Sequence, residues 1–186
     1  MHDKEGRLIV ISGPSGTGKG TVIARLMERC HEIVFSVSAT TRKPREGEKE
    51  GVSYYFITHE RFREMIQQDE FLEYAEYVGE FYGTPKAPIY ECIRNGKDVL
   101  LDIEVKGARQ VMDKEPKALT IFMVPPDMQE LERRLRGRGT DSEEKCAARL
   151  ERAISELDER VHYGNVIIND TVERAVDEIL SILEKE

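Results

Sequence analysis

The feature that most constrains the fold is a glycine-rich segment close to the start of the chain. Residues 13–20 read G-P-S-G-T-G-K-G, directly after the apolar run 8–11 and directly before apolar residues at helical spacing. A glycine turn that joins a buried strand to a helix lets successive backbone N–H groups converge on phosphate oxygens at the helix N-terminus. The segment therefore predicts a polyphosphate-binding loop, to which Lys19 adds a point charge.

One position departs from the usual pattern of such loops. A Ser or Thr normally follows the lysine and binds Mg²⁺ through its hydroxyl group, but this chain has Gly20 and then Thr21. A direct hydroxyl ligand at position 20 is therefore excluded. We expect Mg²⁺ to be held mainly by phosphates and water, with Thr21 and Asp102 as candidate neighbours.

Size and composition narrow the class of protein further. A chain of 186 residues fits one domain with a substantial core. A net charge of −8 argues against a protein that coats nucleic acid, because that binding needs excess positive charge. No run approaches the roughly 20 apolar residues that span a bilayer, so we expect no membrane partner. The three cysteines lack C-x-x-C spacing, which favours buried thiols in a reducing cytoplasm over disulfides or zinc.

Strand-like and helical segments alternate along most of the chain. Apolar runs indicate strands, several of them buried and parallel, at 8–11, 33–37, 54–57, 73–78, 99–103, 119–124 and 166–168. Helical spacing indicates helices after the glycine loop and at 62–66, 128–135, 146–161 and 172–183. Asp127, Asp141 and Asp170 are predicted helix N-caps. The alternation predicts an α/β fold with a parallel-sheet core.

Two regions break this alternation. Between residues 37 and 81, three strand-like runs have only one helical segment among them, which predicts an inserted, smaller mixed α/β subdomain. Residues 127–160 are helical throughout and rich in arginine, and Gly137 and Gly139 interrupt the pattern. We expect this second region to be a mobile basic flap.

The inserted region carries a second candidate anion site. In the string S-A-T-T-R-K-P-R-E-G-E at 38–48, Arg42 and Arg45 lie on either side of Pro44. Planar guanidinium groups at that spacing suit a phosphate. Farther along, F-L-E at 71–73 and Y-G-T at 82–84 supply a carboxylate and hydroxyl groups. The insertion thus contains both cationic and hydrogen-bonding groups.

Together these motifs resemble the guanylate kinase family of P-loop nucleoside monophosphate kinases. The resemblance runs from residue 8 to about 183 and rests on motifs in a fixed order, namely G-P-S-G-T-G-K-G, S-A-T-T-R-K-P-R-E-G-E, F-L-E-Y-A, Y-G-T-P, L-D-I-E-V-K-G-A, R-G-R-G-T and V-I-I-N-D. It implies one domain with a core at 1–36, 85–126 and 160–186. It also implies a GMP-binding insertion at 37–84 and a helical lid with its adjoining helix at 127–159.

The resemblance implies roles for individual residues by position. The implied ATP-binding group is Gly13, Pro14, Ser15, Gly16, Thr17, Gly18, Lys19, Gly20, Thr21, Arg134, Arg138 and Asn169. The implied GMP-binding group is Ser38, Arg42, Arg45, Tyr54, Glu73, Tyr82, Gly83, Thr84, Asp102 and Glu104. Within it, Arg42, Arg45, Tyr54 and Tyr82 hold the phosphate, whereas Ser38, Glu73 and Thr84 recognise guanine. The implied catalytic group is Lys19, Arg42, Asp102, Arg134, Arg138 and Arg149.

The chemistry of guanine agrees with the role that the resemblance gives to Glu73. Guanine presents N1–H and N2–H₂ as adjacent donors that one carboxylate can accept together, whereas adenine presents an acceptor at N1. A mismatch of this kind separates substrates by about 10⁴. The implied reaction is Mg²⁺-dependent transfer of the terminal phosphoryl group of ATP to GMP and dGMP, giving ADP and GDP, with no obligatory general base.

Three alternative functions differ in what they require of the sequence. A P-loop kinase acting on AMP, UMP, thymidylate or a ribose bisphosphate would offer Glu73 no matching pair of donors. A non-enzymatic guanylate-kinase-like module would bind a phosphorylated peptide, yet this chain retains Lys19, the glycine loop and Arg45. A regulatory GTPase would carry an N-K-x-D motif, which the sequence lacks. The choice between monomer and homodimer stays open.

Overall fold

The computed structural model describes residues 5–137 and 143–185. The chain divides into two compact units. The first unit contains the described residues of Met1–Leu8, Glu32–Leu101 and Lys106–Ala118. The second unit contains the described residues of Ile9–His31, Asp102–Val105 and Leu119–Glu186. In the described part of the chain, no helix combines the length and apolar character needed to cross a bilayer.

The described residues form nine strands and seven α-helices. The strands are β1 Leu8–Ser12, β2 Val34–Phe35, β3 Ala39–Thr40, β4 Tyr55–Phe56, β5 Phe71–Tyr77, β6 Glu80–Pro85, β7 Val99–Asp102, β8 Leu119–Val124 and β9 Asn165–Ile168. The helices are α1 Lys19–Arg29, α2 His59–Gln67, α3 Lys86–Arg94, α4 Val105–Lys114, α5 Met128–Arg136, α6 Glu143–Leu157 and α7 Val172–Lys185. A short 3₁₀ helix, Asp158–His162, follows α6.

The first unit contains a mixed sheet in the order β4-β3-β6-β5. Strands β3 and β4 are parallel, whereas β6 runs antiparallel to both β3 and β5. Helix α2 packs on this sheet through Phe62, whose ring stacks on Phe71 of β5 with centroids 4.4 Å apart. Strands β2 and β7 form a separate parallel pair in the same unit. The β5–β6 pairing places Glu73 directly opposite Thr84.

The second unit contains a parallel arrangement in which β8 lies between β1 and β9. Every residue of β1 is buried, as its continuous apolar run predicts. Helices α1 and α7 pack together, and Arg25 and Arg29 of α1 pair with Glu173 and Asp177 of α7 at 2.7 Å. The carboxyl end of β1 leads directly into the glycine-rich segment, so the strand fixes where that segment begins.

The predicted fold class, an α/β fold with a parallel-strand core and a mixed sheet, is confirmed. The prediction missed β3, β6, α3 and α4. Strand β6 contains Gly83 and Pro85, α3 contains Pro88 and α4 contains Gly107, and these residues weaken the periodic patterns on which the prediction relied. The predicted strand 33–37 is only Val34–Phe35, and the predicted helix 146–161 ends at Leu157.

The predicted helix caps have different outcomes. Asp127 caps α5 as predicted, because its carboxylate accepts a hydrogen bond from the Glu130 N–H at 2.7 Å. The prediction of Asp170 as the cap of α7 is wrong, since Thr171 is the residue before that helix and its hydroxyl group accepts from the Arg174 N–H. Asp141 lies outside the described residues. All three cysteines are free, but only Cys146 is fully buried.

Candidate functional site

The glycine-rich segment forms a turn between β1 and α1 in the second unit. Gly13, Gly16 and Gly18 have φ angles of 143°, 93° and 86°, which other residues rarely adopt. Gly18 is the N-cap residue of α1 and has no side chain to occupy the first N–H groups of the helix. Those N–H groups and the positive end of the helix dipole therefore suit an anion.

The Lys19 side chain lies across this turn. Its ammonium group donates hydrogen bonds to the carbonyl oxygens of Gly13 at 2.5 Å and Pro14 at 3.3 Å. These contacts keep the charge beside the backbone N–H groups of the loop. The predicted combination of a glycine turn, a helix N-terminus and a lysine is thus present within one unit.

Two side chains hold the far side of the loop through the Thr17 carbonyl group. That oxygen accepts from Asn169 Nδ2 at 2.7 Å and from Arg134 Nη1 at 3.1 Å. Asn169 is buried, and a Cβ at Gly18 would lie 2.6 Å from its Nδ2 atom. The glycine at position 18 therefore permits a close approach that fixes the loop against the segment after β9.

The arginines predicted to act at the transferring phosphate have distinct surroundings. Arg134 donates through Nη2 to the Asn169 carbonyl oxygen at 3.1 Å and through Nε to Glu130 at 2.7 Å. Arg149 of α6 donates to the Ser15 hydroxyl group at 2.8 Å, so its guanidinium group lies at the glycine loop. Arg138 lies outside the described residues. Arg134 and Arg149 therefore both contact the phosphate loop, from α5 and α6.

Asp102 and Glu104 lie in the second unit, beside the end of β1. The intervening Ile103 is held there by two hydrogen bonds. Its N–H donates to the Ile11 carbonyl oxygen at 3.4 Å, and its carbonyl oxygen accepts from the Ser12 hydroxyl group at 2.8 Å. Loss of surrounding water raises the pKa of the Asp102 carboxyl group, and the nearby Lys19 ammonium group acts in the opposite direction. Glu104 is exposed and accepts a hydrogen bond from Arg152 at 2.8 Å.

Glu73 and Thr84 form a buried polar pair in the first unit. The Thr84 hydroxyl group donates to Glu73 Oε1 at 2.5 Å, and the two residues are 0% and 7% exposed, respectively. A Cβ at Gly107 of α4 would lie 2.7 Å from Glu73 Oε2, so only glycine leaves room for the carboxylate in this position. Burial of a carboxylate is costly, and buried ionisable groups gather at functional sites, so this pair is a candidate recognition site.

The predicted phosphate-binding side chains of the first unit lie near one another. The Arg42 guanidinium group lies over the Tyr54 ring at 5.4 Å, and the Tyr54 and Tyr82 rings meet edge to face at 6.2 Å. Arg45 is exposed and lies on the same loop, where its backbone N–H donates to Glu48 at 2.7 Å.

Two further residues of the predicted GMP-binding group, Gly83 and the predicted guanine contact Ser38, lie on or beside the mixed sheet. Gly83 lies within β6, opposite Ala39, and Ser38 immediately precedes β3.

Sequence reasoning gave no role to three residues at these sites. Glu48 pairs with Arg42, Gly107 makes room for Glu73, and Glu130 pairs with Arg134. Glu48 lies within the arginine-containing string, where an acid three residues after Arg45 is a usable signal. The contact between Gly107 and Glu73 joins distant parts of the sequence, so no local pattern indicates it.

A buried strand, a glycine turn and a lysine at a helix N-terminus define a P-loop protein. The family profile described as Guanylate kinase matches residues 5–186 of this chain. A guanylate kinase from Synechococcus sp. (strain JA-3-3Ab) is 51% identical over 178 residues, which cover 96% of this chain and 82% of that protein. A guanylate kinase from Trichodesmium erythraeum (strain IMS101) is also 51% identical over 178 residues, which cover 96% of each chain.

The fold is also similar to that of a solved guanylate kinase structure. Guanylate kinase from Anaplasma phagocytophilum superimposes with a TM-score of 0.76 at 36% identity, covering 98% of this chain and 87% of that one. This chain belongs to the guanylate kinase family. The resemblance drawn from the ordered motifs is thereby confirmed.

Proposed function

We propose that this chain transfers the terminal phosphoryl group of ATP to GMP, giving ADP and GDP in purine nucleotide metabolism and GMP recycling. Family membership supports the reaction type. The single observation that supports guanine as the acceptor base is the buried Glu73–Thr84 pair of the first unit. dGMP is the second proposed acceptor, because recognition of the base by this pair does not depend on the ribose 2′-hydroxyl group.

Recognition of guanine follows from the hydrogen-bonding capacity of that pair. A carboxylate offers about four lone-pair positions, so the bond from Thr84 leaves Glu73 with capacity to accept from guanine N1–H and N2–H₂. Adenine would place an acceptor against the same carboxylate, and uracil and thymine lack the adjacent amino group. Rejection then comes from placing an acceptor against a buried carboxylate that cannot donate to it, which is a strong source of selectivity.

The donor side of the proposed reaction lies in the second unit. The glycine loop and Lys19 bind the ATP phosphates, Asn169 lies towards adenine, and Arg134 and Arg149 stabilise the transferring group. In the transfer, the bond from Pγ to the β–γ bridging oxygen breaks and a GMP phosphate oxygen bonds to Pγ. The nucleophile is already anionic, so positioning and charge neutralisation are the main requirements and no side chain needs to remove a proton.

Mg²⁺ is the proposed cofactor, and the donor set of the chain fits a weakly ligated ion. In residues 5–137 and 143–185, no three His, Cys, Asp or Glu side chains gather as a metal site. Asp102 offers one carboxylate near Lys19, and Thr21 offers an exposed hydroxyl group in the first turn of α1. These residues suit an ion that keeps phosphates and water as its main ligands. When bound, Mg²⁺ would neutralise charge on the ATP phosphates.

We also propose roles for two segments of the chain and a cellular compartment. Residues 37–84 form the GMP-binding segment, and residues 127–159, which include Arg134, form the lid with its adjoining helix. The proposed compartment is the cytoplasm, where the free cysteines stay reduced.

The experiment that tests this function is an acceptor panel. Initial rates of ADP formation from Mg-ATP are measured with GMP, dGMP, AMP, UMP and thymidylate as separate acceptors. Wild type and the Glu73→Gln variant are compared, because the amide keeps the shape of the side chain but replaces one acceptor oxygen by a donor. Glu76→Gln, an exposed position on the same strand, is the matched control.

The expected result is turnover of GMP and dGMP alone, with a loss of about 10²-fold or more in kcat/KM for GMP in Glu73→Gln. Glu76→Gln should behave as wild type. Turnover of another acceptor by wild type would keep the kinase assignment and refute guanine recognition. ATP binding without turnover of any acceptor would favour the non-enzymatic binding module.

A further inference from the structure

Glu48 lies in the loop between β3 and β4 and contacts both arginines of that loop. Its Oε1 atom accepts from Arg42 Nη2 at 2.8 Å, and its Oε2 atom accepts from Arg42 Nη1 at 3.0 Å and from the Arg45 N–H at 2.7 Å. The side chains of Arg42 and Glu48 are only 15% and 21% exposed. The pair is therefore a bidentate ion pair with limited access to water, which is the stronger kind of arginine–carboxylate contact.

The hydrogen bonds that Arg42 donates to Glu48 and Lys43 do not use one edge of its guanidinium group. A guanidinium group has five N–H donors in a fixed plane. The two on Nη1 are used by Glu48 and by the Lys43 carbonyl oxygen at 2.8 Å, and one on Nη2 is used by Glu48. The Nε–H and the second Nη2–H share the opposite edge. Neither donates to a carboxylate or carbonyl oxygen within the part of the chain that the structure describes, and the Tyr82 side chain, itself predicted to hold the GMP phosphate, is a further hydrogen-bond partner of Arg42.

Neighbouring aromatic residues define the surroundings of that edge. The Tyr54 ring covers the guanidinium face at 5.4 Å, and the Phe56 ring lies 6.0 Å away. The hydrogen bond that Arg42 donates to Glu48 is the largest cause that raises the pKa of Arg42, and the hydrogen bond with Tyr82 contributes in the same direction. Arg42 in turn lowers the pKa of Glu48, and the Arg45 N–H adds to this effect. Both partners stay charged near neutral pH.

We propose that Glu48 is a positioning residue that holds Arg42 by the Nη1–Nη2 edge and so presents the Nε–Nη2 edge to the phosphate of GMP. The inference rests on the proposed function. Two parallel N–H donors match two oxygens of a phosphate, and this geometry requires the guanidinium plane to be fixed. Glu48 also fixes the backbone at Arg45, so one carboxylate orders both predicted phosphate-binding arginines. It does not itself contact the nucleotide.

An alternative role for Glu48, competition with the GMP phosphate for Arg42, predicts the opposite change in GMP affinity when Glu48 is replaced. A carboxylate paired with an arginine can compete with a phosphate for the same donors. If Glu48 competed with GMP in this way, its removal would tighten GMP binding. If it positions Arg42 through the other edge, its removal weakens binding, because the long arginine side chain then loses more conformational freedom when GMP binds.

The test compares Glu48→Gln with Glu46→Gln. Glu46 lies in the same loop, is exposed and carries the same charge, so its variant controls for the loss of net charge. Dissociation constants for GMP and for guanosine are measured by calorimetry, and kcat and KM are measured for GMP and ATP. Guanosine lacks the phosphate, so it separates phosphate positioning from general damage to the unit. Glu48→Asp, which keeps the charge, is the conservative variant.

The expected result for Glu48→Gln is a rise of about 10-fold in the GMP dissociation constant and in KM for GMP. Guanosine affinity and KM for ATP should be unchanged, Glu48→Asp should be intermediate, and Glu46→Gln should match wild type. If Glu48→Gln does not fold, the GMP and guanosine affinities of Glu48→Asp are compared with those of wild type instead.

Unchanged or tighter GMP binding in Glu48→Gln would overturn the inference, and so would an equal loss for guanosine. These outcomes leave wild-type turnover of GMP intact. If wild type neither binds nor phosphorylates GMP, the proposed function and this inference are both refuted.

Discussion

The glycine loop of the second unit and the arginine loop of the first unit are both predicted to bind phosphate, but they use different groups. The glycine loop offers backbone N–H groups, whose directions are set by three positive φ angles and by contacts to the Thr17 carbonyl oxygen. The arginine loop offers side chains, whose directions are set by an ion pair with Glu48. The first site therefore depends on backbone shape and the second on charge.

This difference predicts different sensitivities in the two units. A backbone site is damaged by a Cβ atom added where φ is positive or a neighbouring atom lies close, even when no charge changes. A side-chain site is damaged when a charged partner is removed or when an added atom displaces one of its polar groups.

The largest expected effect is the loss of Lys19, whose side-chain charge lies across the backbone site. Lys19→Met should reduce kcat by about 10³-fold, because the positive charge that neutralises the transferring phosphates is lost. Steady-state rates with saturating ATP and GMP measure the effect. Lys117→Met, at an exposed lysine in the first unit, is the control and should retain wild-type rates. A loss of less than 10-fold would show that the backbone groups suffice.

The next effect concerns two neighbouring glycines with different surroundings. Gly18→Ala should lower the free energy of unfolding by about 2 kcal/mol, since φ is +86° and the new Cβ would lie 2.6 Å from Asn169 Nδ2. Gly20→Ala should raise it by about 0.5 kcal/mol, because no atom lies within 4 Å of the Cβ and the backbone is helical. Urea denaturation of both variants measures the difference. Equal changes would contradict this account of the loop.

A smaller effect is expected at the buried carboxylate of the first unit. Gly107→Ala should raise KM for GMP by about 10-fold and leave KM for ATP unchanged, because a Cβ would lie 2.7 Å from Glu73 Oε2. Alanine favours the helical state of α4 by about 1 kcal/mol, so a loss of function cannot come from helix propensity. Gly164→Ala, where a Cβ makes only ordinary contacts, is the control. An unchanged KM for GMP would mean that Glu73 can move without loss.

The smallest expected effect is a pH dependence at Glu130, which orients Arg134. Hydrogen bonds donated by Arg133, which has the larger effect, and by Arg134 lower the pKa of Glu130 to about 2. A carboxyl group with a depressed pKa in the folded state stabilises the protein above its unfolded pKa, about 4.3, and this contribution is lost as pH falls. The difference in Tm between wild type and Glu130→Gln should therefore shrink between about pH 5 and pH 2.

Glu132→Gln is the control for this measurement, because Glu132 lies on the same helix and pairs with Arg136 instead. The change in Tm difference relative to this control isolates Glu130. A difference that stays constant or grows on acidification would refute the role of the Glu130 ion pairs.

Local patterns predicted the glycine loop well, because a buried strand, a glycine turn and a helix leave period and composition signals in adjacent residues. The same holds for the Asp127 cap, which depends on residues three apart. Strand β6 was not predicted because Gly83 and Pro85 disfavour strands. In the structure, the pairing of β6 with β5 overrides that preference. The approach of Gly107 to Glu73 requires the tertiary fold and has no local signal.

The roles of the site residues depend on a resemblance between ordered motifs and stay predictions. Arg134 illustrates why sequence alone could not define a role fully. Its position predicts an arginine at the transferring phosphate, but its three nitrogen atoms donate to Glu130, Thr17 and Asn169 in the structure. These contacts depend on α5 packing beside the loop, which residue spacing does not encode.

The most direct test of the central claim is a phosphorus NMR spectrum of the products formed from Mg-ATP and GMP. Direct transfer predicts ADP and GDP in equal amounts, with no inorganic phosphate beyond the background without enzyme. ADP accompanied by inorganic phosphate, with GMP unchanged, would mean that the chain hydrolyses ATP and does not phosphorylate GMP. That result would contradict the proposed function, whatever the affinity of either nucleotide.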